Sequence, residues 1–190
     1  MRHHNDRWSN RQQNNRQQEK SYQKRSHVAT SEEDVVLATA LVKIVDGMGT
    51  TTTLRALIDT GSQLSLITES AAQTLRLQNQ KISAKINGLG NGQSETSSLQ
   101  ITTQIIPRFR SNFTSICDLI VLKHITSDLP NRSIIKTETS LENNEMLADP
   151  TYHIPGPIDI LLGAGDCSKI LKQGMHKNDE GLTAQDTQLG

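Results

Sequence analysis

Short runs in which apolar and polar residues alternate fill the chain from residue 34 onward, and this pattern favours β-strands. The first run covers residues 35–45, and Asp46-Gly47 with Gly49 supplies the hairpin turn that follows it. Further runs cover residues 54–58, 64–67, 82–86, 99–105, 116–122 and 158–162. We therefore expect a mainly β fold.

Two short helices are predicted beside these strands. Thr68 is a residue type that caps helices, and Glu69 would place an acid in the first turn of a helix over residues 69–77. Asp166 is expected to cap a second helix that ends near Gly174.

The composition limits the kind of core that the chain can build. The 190 residues suffice for one ordinary domain and a tail, and 34 % are apolar but only 3 % aromatic. The interior must therefore consist of Ile, Leu, Val and Ala. We assign residues 31–190 to a single domain, with the polar stretch 125–150 as an inserted loop.

Residues 1–30 form a Gln-, Asn- and Arg-rich segment with almost nothing to bury, which predicts a disordered tail. It carries seven Lys or Arg against Asp6 and Glu19. Basic residues interleaved with Trp8 and Tyr22 could bind nucleic acid, but a solvated linker is the favoured interpretation.

Other classes of protein find little support in the sequence. Cys117 and Cys167 cannot form a disulfide framework and lack metal-ligand spacing, so both are predicted to be small buried residues. The longest apolar stretch, residues 35–45, is too short to span a bilayer. We expect no metal site, no membrane partner and a cytoplasmic location.

The tripeptide Asp59-Thr60-Gly61 directly follows the predicted strand 54–58. An Asp at the end of an apolar strand can be held facing a second copy of itself. Thr60 can hydrogen-bond across the symmetry axis, and Gly61 lets backbone approach the site closely. These three residues are the candidate catalytic residues.

Two carboxyl groups held this close cannot both ionise, so they share one proton. One carboxylate then acts as general base on a water while the protonated one polarises the scissile carbonyl. This hydrolysis needs neither a metal nor a cofactor. The chain has no second Asp-Ser-Gly or Asp-Thr-Gly, so a twofold homodimer must supply the other carboxyl.

An isolated Asp-Thr-Gly also occurs by chance in ordinary turns, so the surrounding sequence matters. The apolar segment Ile160-Leu161-Leu162-Gly163 lies about a hundred residues downstream and precedes a short helix. Between the two lies a glycine-rich hairpin tip, whose glycines suit a mobile hairpin tip or an exposed flexible loop. This tip consists of Gly88, Leu89, Gly90, Asn91 and Gly92.

Several stretches resemble the aspartic protease of BEL/Pao-type LTR retrotransposons. The resemblance extends over about residues 35–190 and leaves the tail uncovered. The matching stretches are LATALVKIVD, TLRALIDTGSQLSLITESAAQTLRL, KISAKINGLGNGQS, ADPTYHIPGPIDILLGAGDCSKIL and AQDTQLG.

The resemblance implies a retropepsin-like closed barrel or sandwich subunit that is homodimeric and carries a flap hairpin. It implies that Asp59 is the catalytic aspartate and that residues 88–92 form the flap tip, which makes them the candidate substrate-binding residues. Residues 160–163 would then support the site from behind. The substrate would be an extended polypeptide bound beneath the flap, within the retrotransposon polyprotein, in the cytoplasm or in retrotransposon particles.

Two alternatives to an active endopeptidase stay open. The chain could be a retropepsin-fold module for dimerisation or peptide binding without catalysis, as a domesticated or truncated remnant. It could also bind nucleic acid through residues 1–30, which we rank lower because that segment has few basic residues and no recognised motif.

Overall fold

The computed structural model describes residues 35–89, 93–134, 147–177 and 182–190, so the predicted tail 1–30 lies outside the described residues. Within these ranges the chain forms nine strands and two short helices. In chain order they are β1 (Thr39–Val45), β2 (Thr51–Ile58), β3 (Leu66–Thr68), α1 (Glu69–Leu75), β4 (Asn79–Leu89), β5 (Gln93–Pro107), β6 (Ser115–Leu122), β7 (Ile160–Leu162), α2 (Ala164–Ile170), β8 (Leu171–Lys177) and β9 (Thr183–Thr187).

Six of the strands close into a barrel. They follow the order β1, β2, β7, β3, β6 and β5, and β5 returns to pair with β1. The pairs β2–β7 and β3–β6 are parallel, whereas the other neighbours in the ring are antiparallel. Strand β4 lies outside the ring and pairs with β5. The predicted mainly β class, with a closed barrel and two short helices, is confirmed.

Alternation along the strands separates the barrel interior from its outer face, because successive side chains of a strand point to opposite sides. In β1, Ala40, Val42 and Ile44 are buried and their neighbours are more exposed. These residues join one core cluster with side chains from β2, β3, β5, β6 and β7. The buried apolar core consists of Ala, Val, Ile, Leu and Cys, as the low aromatic content predicts.

A second apolar cluster lies on the other face of the same strands. Leu57, Leu66 and Leu161 belong to this cluster, whereas the adjacent Ala56 and Ile160 belong to the barrel interior. Ile86 of β4 packs on it, so the hairpin formed by β4 and β5 contacts the outside of the barrel near its tip, where Ile86 pairs with Glu95.

The predicted boundaries of the first strand and of the first helix differ slightly from those in the structure. Strand β1 begins at Thr39 instead of residue 35, and α1 ends at Leu75 instead of residue 77. The helix ends there because Arg76 adopts a left-handed conformation with φ of 51°. The predicted cap is confirmed, since the Thr68 side chain accepts a hydrogen bond from the Ala71 amide.

The predicted second helix is wrong at both ends. Gly163 occupies the N-cap position of α2 without a side-chain hydrogen bond, and the helix ends at Ile170. Residues 171–177 form β8 instead, which pairs with β9 in a separate two-stranded sheet. Leu189 anchors this hairpin because its side chain is fully buried in the barrel core.

The segment predicted as an inserted loop, residues 125–150, is described only at its two ends, and residues 135–146 lie outside the described ranges. Its described ends hold the buried residues Ile125, Pro130 and Asp149. The polar composition of the segment does not reveal that its ends pack against the barrel.

Arg55 of β2 fixes these ends. Its Nε donates to Oδ2 of Asp149 at 2.7 Å, and this ion pair is almost completely buried. Nη1 donates to the carbonyl oxygens of Leu129 at 2.7 Å and Ile154 at 3.2 Å, and Nη2 donates to that of Thr151 at 3.1 Å. One guanidinium therefore binds residues at both described ends of this segment.

Asp149 is well suited to remain charged in this position. Burial disfavours its ionised form, but hydrogen bonds from Thr151, Thr39 and Arg55 outweigh that effect, so the pKa of Asp149 is lowered. A carboxylate with a lowered folded-state pKa stabilises the fold above its unfolded-state pKa. That stabilisation is lost as the pH falls through the folded-state value.

We predict that Asp149→Asn lowers the free energy of unfolding by about 3 kcal/mol at neutral pH, because it leaves the buried Arg55 without its counter-charge. The difference from the unaltered chain should narrow once the pH drops below about 4, where the unfolded-state carboxyl becomes protonated. Urea denaturation at several pH values measures both effects. Asp118→Asn, at an exposed carboxylate, is the matched control with a change within about 0.5 kcal/mol. Equal stability of the two variants at neutral pH would contradict the role of the pair.

Candidate active site

Asp59 follows the last residue of β2, and its backbone is held on both sides. Its amide donates to the Leu162 carbonyl at 2.9 Å, which continues the parallel pairing of β2 with β7. Its carbonyl accepts from the Ser62 amide at 3.2 Å. Asp59 is half-buried, while Thr60 and Gly61 are exposed. The carboxyl group therefore sits on a fixed backbone at the protein surface.

The Asp59 carboxyl is oriented by its own loop. Its Oδ1 accepts a hydrogen bond from the Gly61 amide at 2.9 Å. A Cβ atom at Gly61 would lie 3.2 Å from the same oxygen, closer than most such contacts. Glycine at this position lets the backbone donate to the carboxylate without crowding it.

The predicted supporting segment, residues 160–163, lies directly behind this loop. In addition to the β2–β7 pairing, Ala164 donates its amide to the Ser62 carbonyl at 2.7 Å. A Cβ atom at Gly163 would lie 2.5 Å from the Leu64 carbonyl oxygen and 2.9 Å from that of Ser62. Only glycine lets the two backbones come this close. The structure thus brings together Asp59 and a segment about a hundred residues away.

A buried polar network, which the sequence interpretation missed, joins the same elements. Ser65 donates its hydroxyl to Oδ2 of Asp166 at 2.5 Å and accepts from the Gly163 amide at 3.0 Å. Lys169 donates to Oδ1 of Asp166 at 2.8 Å. Ser65 lies between Leu64 and Leu66, and Asp166 lies three residues before Lys169. The polar Ser65 between two leucines is the one feature of the sequence that could have indicated this network.

Asp166 remains ionised in this network. Burial opposes its charge, but hydrogen bonds from Lys169, Ser65 and Cys117 outweigh burial and lower the pKa of Asp166. The prediction that Asp166 caps the helix is wrong, because Gly163 occupies that position. The Asp166 carboxylate instead accepts a hydrogen bond from Ser65 and so joins α2 to the loop that follows Asp59.

The two cysteines are buried free thiols, as predicted. Burial and the nearby Asp166 raise the pKa of Cys117 to about 12, and burial also raises the pKa of Cys167. Cys167 donates to the Leu162 carbonyl at 3.2 Å. Both thiols are neutral at physiological pH, which makes them poor nucleophiles.

The candidate substrate-binding residues are described only in part. Gly88 and Leu89 end β4, and the tip residues Gly90, Asn91 and Gly92 lie outside the described ranges. The two strands that lead to the tip pair with each other over most of their length. The position of a hairpin is as predicted, and its action as a flap stays a prediction.

A groove of about 460 Å³ lies at the other end of the barrel. Its walls include Thr68 at the end of β3 and Asp159 just before β7. Since β2 and β7 are parallel, Asp59 after β2 and Asp159 before β7 lie at opposite ends of these strands. This groove is therefore separate from the candidate active site.

The described ranges contain no group of three or more His, Cys, Asp or Glu side chains placed to hold a metal ion. Neither described helix has the length and apolar character needed to cross a membrane.

Comparison with known proteins finds a family match in the part of the chain that contains Asp59. Residues 42–116 match the family model described as aspartyl protease. No curated protein matches the chain. The matched region includes Asp59 and both strands of the hairpin but stops before β7. It supports an aspartic protease, and the mainly β barrel with two helices fits a retropepsin-like fold.

We predict that Gly163→Ala displaces the Asp59 loop, because the new methyl group would overlap the Leu64 and Ser62 carbonyls. The expected loss is about 1–3 kcal/mol of unfolding free energy. Gly165→Ala is the matched control, since nothing lies within 4 Å of its added Cβ and alanine favours the helix. Thermal and urea denaturation should separate the two variants, and similar behaviour of both would contradict the close approach at Gly163.

Proposed function

We propose that the chain is one subunit of an aspartic endopeptidase whose active site is completed by Asp59 of a second copy. The observation that carries the proposal is the fixed position of Asp59 at the end of β2. Its backbone is bonded to Leu162 on one side and to Ser62 on the other, and its side chain is half-exposed. A second carboxyl can therefore approach it from solvent.

The chemistry follows from two carboxyl groups that share one proton. The ionised group takes a proton from water, and the resulting hydroxide attacks the scissile carbonyl while the protonated group donates a hydrogen bond to its oxygen. The tetrahedral intermediate collapses as a proton passes to the leaving nitrogen. No residue of the chain becomes covalently bound to the substrate.

A homodimer is proposed because the sequence offers one Asp-Thr-Gly and no second copy of that motif. A twofold axis passing beside Asp59 would place two identical loops face to face. Thr60 and Gly61 are exposed in the single subunit, so both are available for such a contact.

The substrate is proposed to be an extended polypeptide. Strand β4 lies at the end of the sheet order, and Ile86 packs its hairpin with β5 against the outside of the barrel near the tip. A peptide added as a strand near this hairpin would receive main-chain hydrogen bonds. The resemblance of the motifs to BEL/Pao proteases suggests a retrotransposon polyprotein as the substrate, cleaved in the cytoplasm or in retrotransposon particles.

We predict that Asp59→Asn abolishes cleavage of an unfolded polypeptide at mildly acidic pH, because the amide cannot serve as the base. The expected loss is at least a thousandfold in kcat/KM, with circular dichroism and the unfolding midpoint unchanged. Asp118→Asn, an exposed carboxylate on β6, serves as the control with full activity. Retention of cleavage by Asp59→Asn would refute the assignment.

A dimeric site also predicts how the rate depends on protein concentration. When dimers are scarce, the rate should rise with the square of the monomer concentration, and it should become linear once dimers predominate. Dilution assays combined with sedimentation analysis test this. A first-power dependence down to concentrations where only monomer sediments would rule out the shared site. Binding of the peptide without turnover would favour the non-catalytic module.

A further inference from the structure

We propose that Asp166 is a positioning residue for the Asp59 carboxyl and that it acts through the Ser65 hydroxyl. This inference rests on the proposed proteolytic function. Asp166 does not touch Asp59 in the hydrogen bonds described, so its effect must pass through the loop between them. Three contacts make up the path, from Asp166 to Ser65, from Ser65 to Gly163, and from Leu162 to Asp59.

The charge of Asp166 sets the direction of the first two contacts. A serine hydroxyl has a single proton, and an ionised carboxylate can only accept. The Ser65 hydroxyl therefore donates its hydrogen bond to Asp166 at 2.5 Å, and its lone pairs are left to accept a hydrogen bond from the Gly163 amide at 3.0 Å. A hydrogen bond to a charged group is shorter and stronger than one between neutral groups.

Ser65 contacts three elements, the helix α2 and the barrel strands β6 and β7. Its side chain contacts α2 and the end of β7, and its backbone carbonyl accepts from the Ile120 amide of β6 at 3.0 Å. Both Ser65 and Asp166 are buried, with 8 % and 7 % of their surfaces exposed. Their hydrogen bonds are therefore shielded from competition with water.

Movement of Gly163 would reach Asp59 by two routes. The preceding residue, Leu162, accepts the Asp59 amide, and the following residue, Ala164, donates to Ser62, which in turn bonds the Asp59 carbonyl. The segment held by Ser65 thus controls both sides of the Asp59 peptide. A displacement of about 1 Å at a reacting group can lower a rate about a hundredfold.

The contact of Asp166 with Lys169 does not explain why the carboxylate is buried. The Lys169 side chain is 52 % exposed, and exposed ion pairs contribute little to stability. Ser65, Lys169 and Cys117 are the groups that hydrogen-bond Asp166. Among them only Ser65 also contacts the segment that holds Asp59.

The first test compares Ser65→Ala with Ser168→Ala, which removes an exposed hydroxyl from α2. For Ser65→Ala we expect kcat to fall ten- to a hundredfold, KM to stay within about twofold, and the pH profile of kcat/KM to shift, because two misaligned carboxyls share a proton differently. Ser65→Thr keeps the hydroxyl and should restore both kcat and the profile. Ser168→Ala should match the unaltered enzyme.

Asp166→Asn tests whether the charge is required. The amide can accept from Ser65 but can also donate, so the direction of the bond is no longer fixed, and we expect kcat to fall three- to tenfold. The double variant Ser65→Ala/Asp166→Asn should be no slower than Ser65→Ala alone if both residues act along one path. If the loss of kcat in the double variant equals the product of the losses in the two single variants, the two residues act independently and the proposal is overturned.

Hydrogen exchange of the Asp59 amide gives a result that does not depend on proteolysis. Ser65→Ala should reduce its protection at least tenfold and leave the amides of β1 and β5 unchanged. Unchanged protection at Asp59, or an equal loss throughout the barrel, would overturn the positioning role. Absence of cleavage by the unaltered chain would refute the proposed function, and hydrogen exchange of Ser65→Ala and Asp166→Asn would still decide whether the two residues hold the Asp59 backbone in place.

Discussion

The candidate site depends on the parallel pairing of β2 with β7, because that pairing places the Leu162 carbonyl where it receives the Asp59 amide. These two strands are brought together from positions about a hundred residues apart. Gly163 then makes the contact close enough for backbone to meet backbone. A carboxyl group on an ordinary turn would lack this support, so the same tripeptide elsewhere would not have a fixed geometry.

Much of the barrel could be predicted from the sequence, because alternating aliphatic residues mark a strand with one buried face. The Thr68 cap was equally predictable, since its hydrogen bond is local. The end of the second helix is not evident from the local sequence, because Leu171 directly follows the apolar Ile170, whereas pairing with β9 draws residues 171–177 into a strand. Pairing between distant segments leaves little trace in local sequence.

The polar groups behind the site were the least predictable part. Asp166 follows a glycine-containing turn and would suit a helix cap, but Ser65 competes for its carboxylate from a position 101 residues away. Arg55 lies in the apolar second half of β2, residues 54–58, and its partner Asp149 belongs to a segment of polar composition. Burial of each charge becomes favourable only when the other partner is present.

The guanidinium of Arg55 also fixes the two points at which the segment between Leu129 and Asp149 is attached to the barrel. Because Leu129 on one side and Asp149, Thr151 and Ile154 on the other are tied to the same side chain, the two ends keep a constant spacing. Lengthening a loop between fixed ends adds only a slowly growing entropic penalty. An insertion or deletion between these anchor points is therefore expected to leave the strand that presents Asp59 unaltered.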